Sequence, residues 1–284
     1  MSTDDAAQFP LPDLRFVPVD ALVPHEQHDP HRSGPLAQRF RDQGVLRNPP
    51  VVTPLPPDDD RYMVLDGANR ATAAQEAGFP HVVVQLVRYE DPGVQLMTWH
   101  HALSGLPIAD LERALAAVPG LSSSEGDLRH ARAVLARREA IAFVALPSGR
   151  AMMLGGGAEL HQRNSVLNSV VDAYRARTPF YRLASESLAG AQAEHPEVTA
   201  LVVFPHFEPA EVLELAGSGA RLPAGITRHL IPGRALRVDV PLARLADTTQ
   251  PLADKNRWLA DWLRDKMQRR QVRFYQESTV LFDE

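Results

Sequence analysis

The 284-residue sequence contains no cysteine. That absence removes disulfides, thiolate metal sites and cysteine nucleophiles together, and with them any peroxide-linked thiol chemistry. It fits a reducing compartment, and the cytoplasm is the expected location. A basic excess is missing too. Thirty Lys and Arg stand against 35 Asp and Glu, a formal net charge of −5. A dedicated nucleic-acid binder carries a basic stripe to meet phosphates, so no specific DNA binding is expected. No apolar run approaches the roughly 20 residues of a membrane helix, and no membrane partner is expected. The start, Met1-Ser2-Thr3-Asp4-Asp5, lacks the basic and apolar regions of a signal peptide.

What is present suffices for packed cores: 44% of residues are hydrophobic and 23% charged. The length exceeds one typical domain, so two are expected, with a boundary near residue 100. In the first part, strands over 14–24, 51–52, 62–65 and 82–87 alternate with helices over 35–43 and 68–77. The fold class is therefore read as α+β, with residues 1–100 as one domain. Residues 101–284 read as a larger mixed α/β domain. Helices are expected to dominate 94–140, with Ser122 to Ser124 as capping residues. A hairpin is expected across Pro147-Ser148-Gly149-Arg150, two strands around Pro232-Gly233, and a last strand over 272–282. An amphipathic helix over 255–270 carries Trp258, Leu259, Trp262, Leu263 and Met267 on one face, most simply as core packing.

The sharpest motif is Leu65-Asp66-Gly67-Ala68-Asn69-Arg70, where a strand turns at once into a helix. The first amides of a helix lack internal partners and sit at the positive end of its dipole, a natural seat for phosphate. Gly67 permits close backbone approach, Arg70 adds a two-pronged donor, and Asp66 is placed to hold Mg²⁺ through oxygen. A plain strand-to-helix turn remains the alternative. A second motif is the loop His25-Glu26-Gln27-His28-Asp29-Pro30-His31-Arg32-Ser33, where Glu26 could orient or deprotonate an alcohol. A metal site of His25, His28 and His31 is disfavoured, because Pro30 prevents a shared helix face. In Asn48-Pro49-Pro50-Val51, the Asn-Pro pair reads as a structural entry to a strand. The run Gly155-Gly156-Gly157 lacks the Lys-Ser/Thr of a P-loop and reads as a hairpin exit.

Taken in order, these segments resemble the free L-serine kinases of the ParB/sulfiredoxin-like fold, a group with ADP-dependent archaeal members and ATP-using members in siderophore gene clusters. The resemblance runs through His25-Glu26, Asp29-Pro30 and Arg32, then Val45 to Val52, Leu65 to Arg70, and Gln95 to His101. It returns at Pro223 to His229, Ile231 to Arg234 and Val272 to Glu277. It implies a ParB/sulfiredoxin-like N-terminal domain, with a C-terminal domain closing the substrate cleft. It further implies catalytic roles for Glu26 and Asp66, with Asp66 also the Mg²⁺ ligand. Asn48, Gly67, Ala68, Asn69 and Arg70 would bind nucleotide, and Trp99, Arg228 and His229 would face the substrate. The implied reaction moves a phosphoryl group from ATP or ADP to free L-serine. Ala68-Asn69 stand where some members carry two histidines, which leaves both donors open. Sulfiredoxin chemistry needs a cysteine, and Thr72 replaces an arginine of the partitioning-protein motif. The rival reading is a ligand-responsive ParB-like regulator, which would need a helix-turn-helix; Arg129 to Arg138 is the notable basic helical stretch. Threonine and homoserine remain alternative acceptors.

Overall fold

The computed structural model describes residues 11–27, 44–56 and 59–275. The expected helix over 35–43, His28, His31 and the end of the expected last strand lie outside the described residues. In chain order the first elements are β1 (Asp13–Pro18), β2 (Leu22–Pro24), β3 (Val45–Leu46), β4 (Val51–Pro54), β5 (Tyr62–Asp66), α1 (Ala68–Glu76) and β6 (His81–Leu86). There follow β7 (Gln95–Thr98), β8 (His100–Ser104), α2 (Ile108–Ala116), β9 (Ser122–Asp127), α3 (Leu128–Ala136), β10 (Ala142–Ala145) and β11 (Arg150–Gly155). Next are α4 (Leu160–Arg175), β12 (Phe180–Leu183), α5 (Leu188–Glu194), β13 (Val198–Val203), α6 (Pro209–Gly217) and β14 (Thr227–Leu230). The last are β15 (Val240–Pro241), α7 (Leu242–Ala246) and α8 (Leu252–Gln268). Mixed sheets and helices agree with the expected mixed α and β class.

The chain forms two compact units. Unit 1 comprises Met1–Val23, Asp29–Val94 and Ile231–Glu284; unit 2 comprises Pro24–His28 and Gln95–Leu230. In unit 1, a five-stranded sheet runs in the order β1-β6-β4-β5-β2. Strand β6 pairs antiparallel with β1 and parallel with β4, and its Val82, Val83 and Val84 are wholly buried. Burial on both faces explains why this strand reads as an unbroken apolar run. Helix α1 buries Ala71, Ala73 and Ala74 in the same core.

The end of the chain departs from the expected division at residue 100: residues 231–284 return to unit 1. Two features hold them there. Helix α8 lays Trp258, Leu259, Trp262 and Leu263 on the unit 1 core. The Asn256 amide also accepts from Phe16 N at 2.8 Å and donates to Phe16 O at 3.0 Å. It thereby satisfies a peptide on the outer strand β1 that would otherwise be left unpaired.

In unit 2 a six-stranded sheet runs in the order β12-β8-β13-β10-β11-β9, and β14 pairs antiparallel with β7. The expected helical stretch 94–140 is corrected here. Residues 95–104 form β7 and β8, and Ser122 to Ser124 belong to β9, paired antiparallel with β11, instead of capping a helix. Strand β8 lies between β12 and β13 with Ala102 and Leu103 fully buried, so its sequence lacks the two-residue alternation that marks a half-exposed strand. Strand β9 is held through backbone pairing and is largely exposed, so it has no apolar signal either. The hairpin β10–β11 lies where the sequence places it. Of the two strands expected around Pro232-Gly233, β14 forms; residues 234–239 are irregular. Among the described residues, no helix is long and apolar enough to cross a membrane.

Candidate functional site

In unit 1 the residues expected at the nucleotide gather around the β5–α1 turn. Gly67 caps α1 with φ +84, in the left-handed region that favours glycine. A Cβ at Gly67 would stand 2.8 Å from Arg70 Nη2, so the glycine also makes room for the arginine to fold back over the turn. Arg70 Nη2 donates to Asp66 Oδ2 at 3.0 Å, and Nη1 donates to Asn48 O at 2.6 Å. Arg234 reaches the same Asp66 oxygen from the returning C-terminal segment. Asn48 is tied in through its side chain as well, accepting from Arg237 N at 2.8 Å. Ala68 and Asn69 are the first residues of α1. The turn is therefore a braced cationic corner, with a single carboxylate engaged by two guanidiniums.

In unit 2 the residues expected at the substrate gather around Glu26. This segment pairs with Leu222: Leu222 N donates to His25 O and Gln27 N to Leu222 O, both at 2.8 Å. The register delivers the Glu26 carboxylate to the turn before β14. Its Oε2 accepts from Gly225 N at 2.7 Å, and its Oε1 accepts from Thr227 N at 2.7 Å and from the Thr227 hydroxyl. The half-buried Thr227 hydroxyl has one proton, which it gives to Glu26. The His25 Nε2 that lies 2.7 Å from it must therefore be the donor. His25 is buried, and His229 meets it edge-on with centroids 5.2 Å apart. The Arg228 guanidinium lies over the Trp99 ring at 4.5 Å. Glu26, Trp99, Arg228 and His229 are thus brought to one β7–β14 corner.

Behind this corner stands a pair of buried histidines. His101 is fully buried; its Nε2 donates to Gly225 O at 3.1 Å, which leaves Nδ1 to accept from Tyr174 at 2.7 Å. Its ring stacks on Phe180 at 4.0 Å. Burial pushes its pKa down to about 3, and that of His100 down to about 4. Gly225, with φ +79 and Arg182 against its Cα, is thereby held at both its amide and its carbonyl.

No model of a known protein family matches the chain. Curated relatives do. The ATP-dependent L-serine kinase SbnI of Staphylococcus aureus is 27% identical over 254 residues, 87% of this chain and 91% of that one. The ADP-dependent L-serine kinase SerK of Thermococcus kodakarensis is 25% identical over 257 residues, 86% of this chain and 100% of its own. An ATP-dependent L-serine kinase of Staphylothermus marinus is 39% identical over 90 residues; that match spans 32% of this chain and about a third (35%) of the relative. These relatives are named as L-serine kinases. The fold agrees: a solved free serine kinase in complex with AMP superposes with a TM-score of 0.71 at 20% identity, covering 83% of this chain and 95% of that one.

Most of the basic stretch Arg129–Arg138 lies in α3, which stands between strands β9 and β10 and is not half of a helix-turn-helix. A cavity of about 130 Å³ in unit 2, lined by Arg138, Arg163, Phe207 and Glu211 among others, contains none of the expected site residues. Sequence reasoning assigned no role to Thr227, Gly225, His101 or Arg234. Their roles leave no local signal, because each partner lies far along the chain: Thr227 is 201 residues from Glu26, and Arg234 is 168 from Asp66.

Proposed function

We propose that this chain transfers a phosphoryl group from ATP or ADP to the hydroxyl of free L-serine, giving O-phospho-L-serine. The observation that carries the reading is similarity to an L-serine kinase across 87% of this chain; the hydrogen-bonded Glu26 corner and the Asp66–Arg70 turn support it. Unit 1, read as a ParB/sulfiredoxin-like domain, binds the nucleotide, with phosphates on Gly67, Ala68, Asn69 and Arg70 and with Asn48 alongside. Trp99, Arg228 and His229 receive the serine.

Glu26 orients the serine hydroxyl. A carboxylate offers about four lone-pair directions. Among the described residues, Oε1 takes two hydrogen bonds and Oε2 one. One direction on Oε2 is therefore left for the substrate. Phosphoryl transfer passes through a loose transition state, where positioning and charge neutralisation dominate, so a strong base is unnecessary.

Mg²⁺ would supply charge neutralisation at the phosphates. Among the described residues no cluster of three His, Asp or Glu could hold a metal by itself. A single carboxylate, Asp66, fits Mg²⁺ that is held mainly by phosphate oxygens and water.

Three variants test these roles. Arg70→Ala should weaken ATP and ADP binding about ten- to a hundred-fold, the worth of a charged hydrogen bond of about 1.5–3 kcal/mol. Asp66→Asn should lower turnover more than affinity and raise the Mg²⁺ requirement. Titrations that leave both properties unchanged would remove the turn from the site. Thr227→Val should lower turnover about ten- to a hundred-fold with nucleotide affinity unchanged, because it withdraws a donor from the Glu26 carboxylate. Thr227→Ser should restore the rate; a Ser variant as slow as the Val variant would argue for lost packing instead. The reaction itself is tested with a matrix of ATP and ADP against serine, threonine and homoserine, with phosphorylated product measured by mass. No O-phosphoserine from either donor would overturn the reading.

A further inference from the structure

Unit 1 carries one feature that the reaction as described does not use: the strap from Pro232 to Asp239. Its backbone is strained, with Arg237 at φ +53 and Asp239 at φ +57, left-handed conformations that non-glycine residues disfavour. Strain of this kind persists where the surroundings over-determine it. They do so here. Gln85, a buried side chain on β6, donates through Nε2 to Gly233 O at 3.1 Å and accepts at Oε1 from Ala235 N at 2.8 Å. It clamps the residues on either side of Arg234. Asn48 Oδ1 accepts from Arg237 N, and Arg47 O accepts from Val238 N, both at 2.8 Å. A buried polar side chain is thus committed to fixing the backbone that presents Arg234, independently of Arg234's own ion pair.

Arg234 so presented reaches Asp66 Oδ2, the same oxygen that Arg70 holds at 3.0 Å. Two guanidiniums thus converge on this carboxylate beside the first amides of α1. The strap adds Arg237 nearby. Structural pairing alone requires only one arginine on that oxygen.

We propose that Arg234 is a second phosphate-binding arginine of the nucleotide site, carried to the β5–α1 turn by the strap. This rests on the nucleotide reading of that turn given above. Arg70 comes from the helix and Arg234 from the strap, so a di- or triphosphate beside Asp66 meets donors from two directions. Asp66 keeps both guanidiniums in place between nucleotides. A guanidinium is suited to this role because its fork meets two phosphate oxygens at once.

The test is calorimetric titration of wild type, Arg234→Ala and Arg234→Lys with ATP, ADP and adenosine, with thermal melts to confirm folding. Arg234→Ala should weaken ATP and ADP about ten- to a hundred-fold and leave adenosine unchanged. Arg234→Lys should fall between, since it keeps the charge and loses the fork. Equal weakening of adenosine and the phosphorylated ligands would mean that the strap has merely loosened, and would overturn the proposal. So would unaltered ATP and ADP affinity in a folded Arg234→Ala. A wild-type chain that binds none of the three ligands would instead overturn the nucleotide reading of the turn itself.

Discussion

Glu26→Gln should reduce O-phosphoserine formation on the order of 10²–10⁴-fold, the usual range for removing a positioned carboxylate, while nucleotide affinity stays at the wild-type level. The substitution is close in shape but not in hydrogen bonding. Both carboxylate oxygens face donors: Gly225 N on one side, Thr227 N and its hydroxyl on the other. A glutamine has one oxygen and one amide nitrogen, so one side must set N–H against N–H. A modest loss of stability, about 1–3 kcal/mol for an unsatisfied group, should accompany the loss of rate. Nucleotide binding separates the effects. The residues assigned to phosphate belong to unit 1, and Glu26 belongs to unit 2. Loss of rate with an intact nucleotide isotherm assigns Glu26 to the acceptor. Wild-type turnover in a folded Glu26→Gln would eliminate its role.

The parts of this chain that were legible in its sequence are those whose determinants are local. The β5–α1 turn is announced by Asp66-Gly67 because a strand end, a left-handed glycine and a helix start follow one another within a few residues. Helix α8 shows its apolar stripe, and β10–β11 its turn, for the same reason. Strands β8 and β9 leave no such local signal, because neither a strand between two neighbours nor a serine-rich outer strand has a two-residue alternation. The return of residues 231–284 to unit 1 depends on side chains such as Asn256 meeting Phe16, 240 positions away, and no local pattern encodes that meeting. The site divides in the same way. Glu26 was legible as a carboxylate in a suggestive loop, but the atoms that hold it come from residues 225 and 227. Gly225 could be recognised in the sequence as a turn glycine; its contact with His101 could not.

That contact leads to the largest expected effect on stability, a loss on mild acidification. His100 and His101 are buried neutral, with pKa values pushed from 6.5 to about 4 and about 3, chiefly by burial. Glu186 opposes the shift at His100 and the Gly225 carbonyl opposes it at His101, while His206 and Arg182 reinforce it at His100 and His101 respectively. In the unfolded chain both take up a proton as pH falls through 6.5; in the native chain neither does until far lower. The unfolded state therefore binds more protons, and native stability falls as pH falls. As pH falls from 6.5 to 5, before most carboxylates titrate, the loss from each histidine should steepen toward about 1.4 kcal/mol per pH unit, from about half that value at the start. Urea unfolding at pH 7, 6 and 5 should show this slope, and His101→Gln should make it shallower, whatever it does to stability at pH 7. A slope unchanged in His101→Gln would mean that His101 does not supply it. Because the native pair stays neutral over this range, the His101 contact with the Gly225 carbonyl and the Gly225 amide's hold on Glu26 persist in the folded chain, so these two histidines should lower stability there without lowering the turnover of the folded fraction.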